Sequence, residues 1–246
     1  MRALIATLSL ALALAGPALA QDAGPPTPPD AKVLAVYAPR LAFASGVARS
    51  RYAADLAAAL TQATGIPFLG RGFASGGAFA QQVAAGKVAV ALVDAQVQVR
   101  RGFQALAQGQ QGGRPAAPMV LVVAPGVKGT GLLALEGKRL AGVPVGPGDA
   151  GFVANFLLQG EVPADFFKAG RDARDVQGAV ALVKLGKADA AFTPAGRTGG
   201  LRAVFRSRPV PRPVLVQVDP GLPADQAGAL KRAAAGLRVA GPLDGF

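Results

Sequence analysis

Tyrosine, threonine and arginine side chains follow two short apolar runs of this sequence, at the points where strands would end. Tyr37 closes the run KVLAVY and Arg40 lies just beyond it, while Thr193 and Arg197 follow the run at 188–192. In open α/β sheets, ligands bind outside the carboxyl ends of the strands. An arginine fork at that edge can hold an oxyanion through two parallel hydrogen bonds. The pattern therefore predicts an anion site; a packed core tyrosine and solvated surface arginines are the alternative interpretation.

Two glycine-rich turns precede predicted helices and supply further candidate residues. Ser75 and Gly76 open a helix in the first half of the chain, and Gly148 and Asp149 lie in the turn 146–151 of the second half. Such turns expose backbone N–H groups at a helix N-terminus, where an anion is stabilised. We predict that these four residues contact a ligand; the alternative is that Ser75 and Asp149 only cap their helices.

Catalytic and metal chemistry have little support in the composition. The 246 residues include no Cys and no His, which removes thiol nucleophiles, disulfides, Cys-based zinc sites and the commonest general base. The spacing Gly146-x-Gly148-x-x-Gly151 matches a dinucleotide-binding fingerprint, but such matches arise by accident in a chain with 33 glycines. We expect a protein that is not an enzyme and that needs no cofactor and no metal. A secreted enzyme acting through Ser, Lys, Asp or Glu is the weakest alternative.

Basic residues are in large excess over acidic ones. The chain has 26 Lys and Arg against 14 Asp and Glu, a net charge of +12. Nucleic-acid binding requires basic patches that are interleaved with aromatic residues or carried by a reading helix. Here the aromatic residues make up only 6%, and the basic patches fall in predicted loops, at Arg100-Arg101 and at Arg206, Arg208 and Arg212. We expect no nucleic-acid partner and interpret these patches as solvated, with a field that attracts anions.

The N-terminus has the pattern of an exported protein. Residues 1–20 combine a positive start, an apolar run from Ala3 to Ala15 and an A-x-A site ending at Ala20, as secretory signal peptides do. The apolar run is shorter than the roughly 20 residues that cross a bilayer. We predict cleavage after Ala20, a Pro-rich leader over residues 21–31 and a periplasmic protein without a membrane anchor.

Alternating strands and helices account for the rest of the chain. The first half predicts β-α-β-α-β, with strands at 32–37, 66–69 and 88–93 and helices at 49–63 and 78–85. The second half repeats this plan, with strands at 119–124, 139–145, near 166 and 188–192, and helices at 151–158 and 175–185. Strands near 201–206 and 214–218 and a helix at 225–237 complete the chain. The alternation predicts an α/β protein of two lobes, each a mostly parallel sheet flanked by helices.

An ordered set of motifs in the second half resembles a known family. The segments LEGKRLA (135–141), GKADA (186–190) and RSRPVP (206–211) are similar, in this order, to segments of the phosphate-, phosphite- and phosphonate-binding components of ABC importers. These are type II periplasmic solute-binding proteins. The resemblance implies a Venus-flytrap fold, in which a ligand closes the cleft between two lobes. It also implies a small anionic ligand and delivery to an inner-membrane ABC permease, and we expect a monomer.

The resemblance also implies how the chain divides between the lobes. The first lobe is expected to take residues 32–117 and 202–246, including the C-terminal helix, and the second lobe residues 118–201. The hinge is expected near residues 117–124 and 201–216.

One loop departs from the pattern of that family. The family usually carries Ser or Thr hydroxyls in the loop at 146–151, whereas this chain has no hydroxyl there and carries Asp149. An ionised Asp only accepts hydrogen bonds and repels a bound anion. We therefore expect weak binding of phosphate-like dianions, or a ligand that also carries an amine. The alternative is a degenerate binding fold that acts as an envelope interaction or sensory module.

Overall fold

The structure, a computed structural model, describes residues 31–146 and 149–246. The predicted signal peptide, its cleavage site after Ala20 and nearly all of the leader lie outside these residues, as does Gly148. None of the helices in the described part of the chain has the length and apolar character needed to span a membrane.

The described residues form ten strands and six α-helices, which alternate along most of the chain as the sequence predicts. The first stretch contains β1 (Lys32–Tyr37), α1 (Gly46–Thr64), β2 (Phe68–Gly72), α2 (Gly76–Ala84), β3 (Val88–Val93), α3 (Ala95–Arg101) and β4 (Gln104–Gln108). The second contains β5 (Ala116–Val123), β6 (Arg139–Gly142), α4 (Asp149–Gly151), β7 (Lys168–Asp172), α5 (Val176–Lys184), β8 (Ala190–Pro194) and β9 (Arg202–Pro211). The chain ends with β10 (Val214–Gln217) and α6 (Ala224–Ala234).

Two five-stranded sheets divide the molecule into two lobes. Their strand orders are β2-β1-β3-β10-β4 and β7-β6-β8-β5-β9. In each sheet the inserted strand, β10 or β5, is antiparallel to both of its neighbours, and the strands at the other end of the sheet pair in parallel. Apolar clusters cover both faces of each sheet. The predicted α/β fold with two lobes is thereby confirmed, but each sheet is mixed rather than mostly parallel, because β10 or β5 enters it in the opposite direction.

The helix α1 forms where the apolar spacing predicts it. The buried face of α1 includes Tyr52, Leu56 and Leu60, as the sequence indicates. The Ser45 side chain caps this helix by accepting a hydrogen bond from the backbone N–H of Ala48, and Gly65 ends it in the left-handed region at φ 73°. Only a residue without a β-carbon adopts that conformation at no steric cost.

The second lobe differs from the sequence prediction around its first helix. After the single turn of α4, the chain continues as a π-helical segment, Phe152–Leu157, where a regular helix is predicted. π-Helical turns are rare and are frequently found at functional sites. The strand predicted at 139–145 ends at Gly142, and the elements α3 and β4 have no counterpart in the prediction.

The lobe boundaries predicted from the sequence also require correction. We expected the second lobe to end at residue 201, but β9 pairs with β5 along its length and so carries the second sheet through Pro211. The chain passes between the lobes at 109–115, just before β5, and at 212–213, just after β9. These two passages contact each other, because the Arg212 N–H donates to the Pro115 carbonyl at 2.8 Å. The helix α6 packs on the first lobe, where Leu230 joins the cluster that contains Leu56.

Candidate functional site

The two lobes meet at Arg40, in the loop that follows β1. Its backbone N–H donates to Oδ2 of Asp94 at 3.1 Å, and its Nη1 donates to the side-chain oxygen of Gln96. Its Nη2 crosses to the second lobe and contacts Oδ1 of Asp149 at 3.1 Å. Its guanidinium also lies 4.4 Å from the centre of the Phe152 ring, a cation–π contact. Arg40 is thus fixed by both lobes.

The carboxylate of Asp149 is held by both lobes. Oδ1 accepts hydrogen bonds from Arg40 and from Nε2 of Gln96, each at 3.1 Å, and lies 3.6 Å from Nη2 of Arg100. Oδ2 accepts from the backbone N–H groups of Val145 and Gly146 at 2.8 and 2.9 Å. One oxygen of this carboxylate therefore accepts from the first lobe, and the other accepts from the loop that precedes α4. The alternative in which Asp149 merely caps its own helix does not describe these contacts.

Arg100 brings a second guanidinium to the same place. It lies in the last turn of α3, and its neighbour Arg101 is exposed. Nη1 of Arg100 is buried and has no hydrogen-bond partner among the described residues. We predicted a solvated basic patch at Arg100-Arg101, and this is wrong for Arg100, whose helix turns it into the cleft.

Asp94 is a buried carboxyl group at the base of the cleft. It directly follows β3 and is 5% exposed. Burial raises the pKa of Asp94 to about 6, against the opposing effects of the Arg40 charge and the Arg40 backbone hydrogen bond. Two acidic groups, Asp94 and Asp149, therefore lie near two arginines in the cleft.

The aromatic ring of Tyr37 packs beside the start of α2. It stacks on Phe79 with ring centres 5.1 Å apart, and a β-carbon placed on Gly76 would lie 2.7 Å from the tyrosine hydroxyl. Glycine is thus required at 76 for the hydroxyl to reach the helix N-terminus. Burial raises the pKa of Tyr37, and the charges of Asp94 and Asp149 raise it further, so this hydroxyl is a hydrogen-bond donor at neutral pH.

Ser75 caps α2 and lies at the surface. Its side-chain oxygen accepts a hydrogen bond from the Ala78 N–H at 3.4 Å. The capping interpretation of Ser75 therefore describes its contacts, and a role in ligand binding stays a prediction. Gly148 was predicted beside Asp149 and lies outside the described residues.

Thr193 and Arg197 do not join this cluster. The Thr193 side chain is buried and its Oγ1 donates to the backbone carbonyl of Arg197 at 3.1 Å, which shapes the turn after β8. Arg197 is exposed and lines a different cavity, together with Tyr52 and Gly241. Thr193 lies near the carboxyl end of β8, as predicted, but Arg197 lines neither of the two cavities that Arg40 lines.

A second polar contact joins the lobes at the start of α5. Asp175 caps this helix by accepting from the Gly178 N–H at 3.0 Å, and its other oxygen accepts from Nη2 of Arg49 at 2.8 Å. The Val176 N–H donates to the backbone carbonyl of Pro39 at 3.1 Å. Asp175 therefore caps α5 and also neutralises a buried arginine of the first lobe.

Two cavities adjoin the Arg40 cluster. One of about 480 Å³ lies between the lobes beside the hinge passages, and the other, of about 380 Å³, lies within the second lobe behind the π-helical segment. Arg40 and Met119 line both. Within residues 31–146 and 149–246, no group of acidic side chains is arranged to hold a metal ion.

Sequence reasoning missed three residues of this cluster, Asp94, Gln96 and Arg100. The rule that selected Tyr37 applies equally to Asp94, because this residue directly follows the apolar run VAVALV of β3. The signal was present at the carboxyl end of the third strand as well as the first.

Comparison with known proteins agrees with this architecture. Residues 42–240 match the family described as "ABC transporter, phosphonate, periplasmic substrate-binding protein". Among curated proteins, none matches the sequence.

Solved structures share the fold at low sequence identity. PhnD1 from Prochlorococcus marinus in complex with methylphosphonate has a TM-score of 0.64 at 16% identity, over 84% of this chain and 85% of that one. A binding protein component of an ABC phosphonate transporter from Pseudomonas aeruginosa has a TM-score of 0.64 at 15% identity, over 84% and 74%. A Xanthomonas citri protein bound to ATP has a TM-score of 0.58 at 16% identity, over 84% and 82%. With the family match spanning most of the sequence, this chain belongs to the phosphonate-binding family of periplasmic ABC-transporter substrate-binding proteins.

Proposed function

We propose that this protein binds a small anion of phosphonate, phosphite or phosphate type between its lobes and delivers it to an inner-membrane ABC permease. The single observation that carries the proposal is the set of first-lobe side chains that contact the Asp149 carboxylate. Arg40, Gln96 and Arg100 of the first lobe direct hydrogen-bond donors or positive charge at an oxyanion presented by the second lobe. A phosphonate offers the same chemistry with one more oxygen, and arginine forks match it well.

The neighbouring groups suit the same ligand. The Tyr37 hydroxyl lies beside the start of α2, so a ligand oxygen there would meet both the hydroxyl and the backbone N–H groups of a nine-residue helix. In this proposal Tyr37, Arg40, Gly76 and Arg100 contact the anion, and Asp149 is the internal group that the anion replaces. The roles of Ser75, Gly148, Thr193 and Arg197 in binding stay predictions.

The proposal includes the setting of the protein. Signal-peptide cleavage after Ala20 would release a monomer into the periplasm, where binding proteins carry ligands to their permease. Intact-mass analysis of periplasmic material tests the cleavage, with Gln21 as the expected first residue. Recovery of a chain that still begins at Met1 would contradict it.

Binding is tested by thermal unfolding and calorimetry with methylphosphonate, phosphite and phosphate at constant ionic strength. A ligand at one hundred times its Kd stabilises the folded state by about 2.7 kcal/mol, which raises the Tm of a chain of this size by about 5–11 °C. Arg100→Gln should lose this shift, whereas Arg101→Gln is the matched control, since it removes the same charge from the adjacent exposed position. Absence of any shift with all three anions would refute the proposal.

One observation favours a second candidate function. Because Asp149 already satisfies donors of the cleft, the fold could be a degenerate binding protein that presents a docking surface to another envelope protein. A protein that ignores all three anions and co-purifies from the envelope with one partner at fixed stoichiometry would support that function instead.

A further inference from the structure

The cavity beside the hinge has a lining that a small polar anion does not need. Five of its lining residues are polar or charged, and the other twelve are apolar. The charged ones are three arginines and one aspartate: Arg40, Arg100, Arg212 and Asp94. The cavity thus joins a cationic end to an apolar body, and its volume of about 480 Å³ lies in the range of sites that bind organic molecules.

The π-helical segment supplies the aromatic wall of this cavity. Phe152 and Phe156 stack with ring centres 5.1 Å apart and an interplanar angle of 9°, and both line the cavity. The guanidinium groups of Arg40 and Arg208 lie 4.4 and 5.5 Å from the centres of these two rings. The start of β5 and the end of β9 contribute Pro118 and Val210 to the lining of the same cavity.

The other side of the same segment lines the second cavity. Val153, Ala154 and Leu157 border the apolar space of about 380 Å³ within the second lobe. A rare backbone conformation therefore separates two mainly apolar spaces that meet at Arg40. Both spaces lie next to the residues proposed to hold the anion.

We propose that the ligand of this protein is an amphiphilic anion, a phosphonate whose substituent is an aryl or longer alkyl group. This inference rests on the proposed function and specifies its ligand class. The anionic head binds at Arg40 and Arg100, and the apolar substituent occupies the cavity against Phe152 and Phe156. Methylphosphonate carries a single carbon and leaves most of that apolar surface uncovered, whereas a phenyl ring covers the aromatic wall and removes it from water.

The inference is tested by calorimetry with methylphosphonate, phenylphosphonate and benzamide, which is a neutral aryl compound. We expect phenylphosphonate to bind at least tenfold more tightly than methylphosphonate, and benzamide not to bind. Methylphosphonate binding as tightly as phenylphosphonate would overturn the inference and leave the proposed function standing. Binding of benzamide alone, or of none of the three, would overturn the inference, and the proposed function would then depend on the separate titrations with phosphite and phosphate.

Two adjacent positions of β5 provide matched variants. Ala117 lines the cavity and Ala116 does not, and successive residues of a strand point to opposite faces. Ala117→Phe should fill the cavity and weaken phenylphosphonate at least tenfold while changing methylphosphonate less than twofold. Ala116→Phe should change neither.

A further variant keeps the test decisive where Ala117→Phe unfolds the chain. Phe156→Ala removes part of the wall and should weaken phenylphosphonate by about three- to tenfold, with methylphosphonate again little changed. Equal weakening of both ligands by Phe156→Ala, in a protein with a normal unfolding transition, would overturn the placement of the substituent.

Discussion

Replacing Asp149 by Ser should lower the stability of the unliganded protein and raise its affinity for simple phosphonates. In the structure one carboxylate oxygen is held by three side chains of the first lobe and the other by two backbone N–H groups of the second. A serine side chain is too short to reach both sets of hydrogen-bond donors, and it carries no charge. The substitution therefore removes a contact between the lobes and, at the same time, the group that competes with a ligand anion for Arg40 and Arg100.

The magnitude follows from the number of contacts and their exposure. A hydrogen bond to a charged group contributes about 1.5–3 kcal/mol, and the range applies to buried groups. The side chain of Asp149 is 22% exposed and that of Arg100 is 24% exposed, so water compensates part of the loss. We expect a total loss of about 2 kcal/mol, which corresponds to a decrease in Tm of about 4–8 °C for a chain of this length.

The gain in affinity has the same origin. In the wild type an entering anion must displace a carboxylate from the two guanidinium groups, and in Asp149→Ser it need not. We expect methylphosphonate to bind about tenfold more tightly, equivalent to about 1.4 kcal/mol. Differential scanning calorimetry of the unliganded proteins and titration calorimetry measure the two changes separately.

Asp165→Ser is the control, because Asp165 is an exposed acidic residue outside the cleft. It should leave both the Tm and the affinity within error of the wild type. The reasoning would be refuted by a variant whose affinity falls together with its stability. That outcome would show that Asp149 contacts the ligand directly, as in the expectation of a ligand with an amine.

Three further substitutions have effects of known sign. Tyr37→Phe should keep the fold and weaken phosphonate binding about three- to tenfold, measured by titration calorimetry, since one hydroxyl hydrogen bond contributes about 0.5–1.5 kcal/mol. The folded-state pKa of Asp94, about 6, exceeds its ordinary value of 3.8. Ionisation of this group therefore lowers the free energy of unfolding as the pH rises between these two values. Asp94→Asn should match the wild type near pH 4 and be more stable by about 3 kcal/mol above pH 7 in denaturant titrations. Asp175→Ala should cost about 3–5 kcal/mol in the same assay by leaving Arg49 buried without its partner, and an unchanged transition midpoint would contradict that account.

Much of the fold could be predicted because the apolar runs are clear. The strands β1 and β3 begin and end where the sequence predicts, since each is a largely apolar run with at least four consecutive buried residues, which lie on both faces of the sheet. The lobe to which β9 belongs could not be predicted in this way. Only one residue of this ten-residue strand is buried, so no apolar pattern shows which sheet it joins, and its pairing with β5 is a tertiary effect.

In the candidate site, too, the residues at strand ends could be predicted from the local sequence, and those whose position depends on tertiary structure could not. Tyr37 and Arg40 were found because the end of a strand is visible in the sequence. Arg100 was not, because α3 is only seven residues long and its orientation depends on how the lobes meet. The prediction for Arg197 assumed that every residue after a strand faces the cleft. The Thr193 hydroxyl fixes a turn by donating to the Arg197 carbonyl, and the Arg197 side chain lines a different cavity.

The contacts of Asp149 restrict which ligands can work in this cleft. A ligand shifts the equilibrium between open and closed lobes only by the difference between its affinities for the two forms. In this structure an internal carboxylate, that of Asp149, already bridges the lobes. A ligand that offers only what Asp149 offers would replace one oxyanion with another and gain little. A ligand that binds tightly must therefore gain binding free energy from a further contact. An apolar substituent would gain it by burial in the apolar cavity beside Arg40 and Phe152.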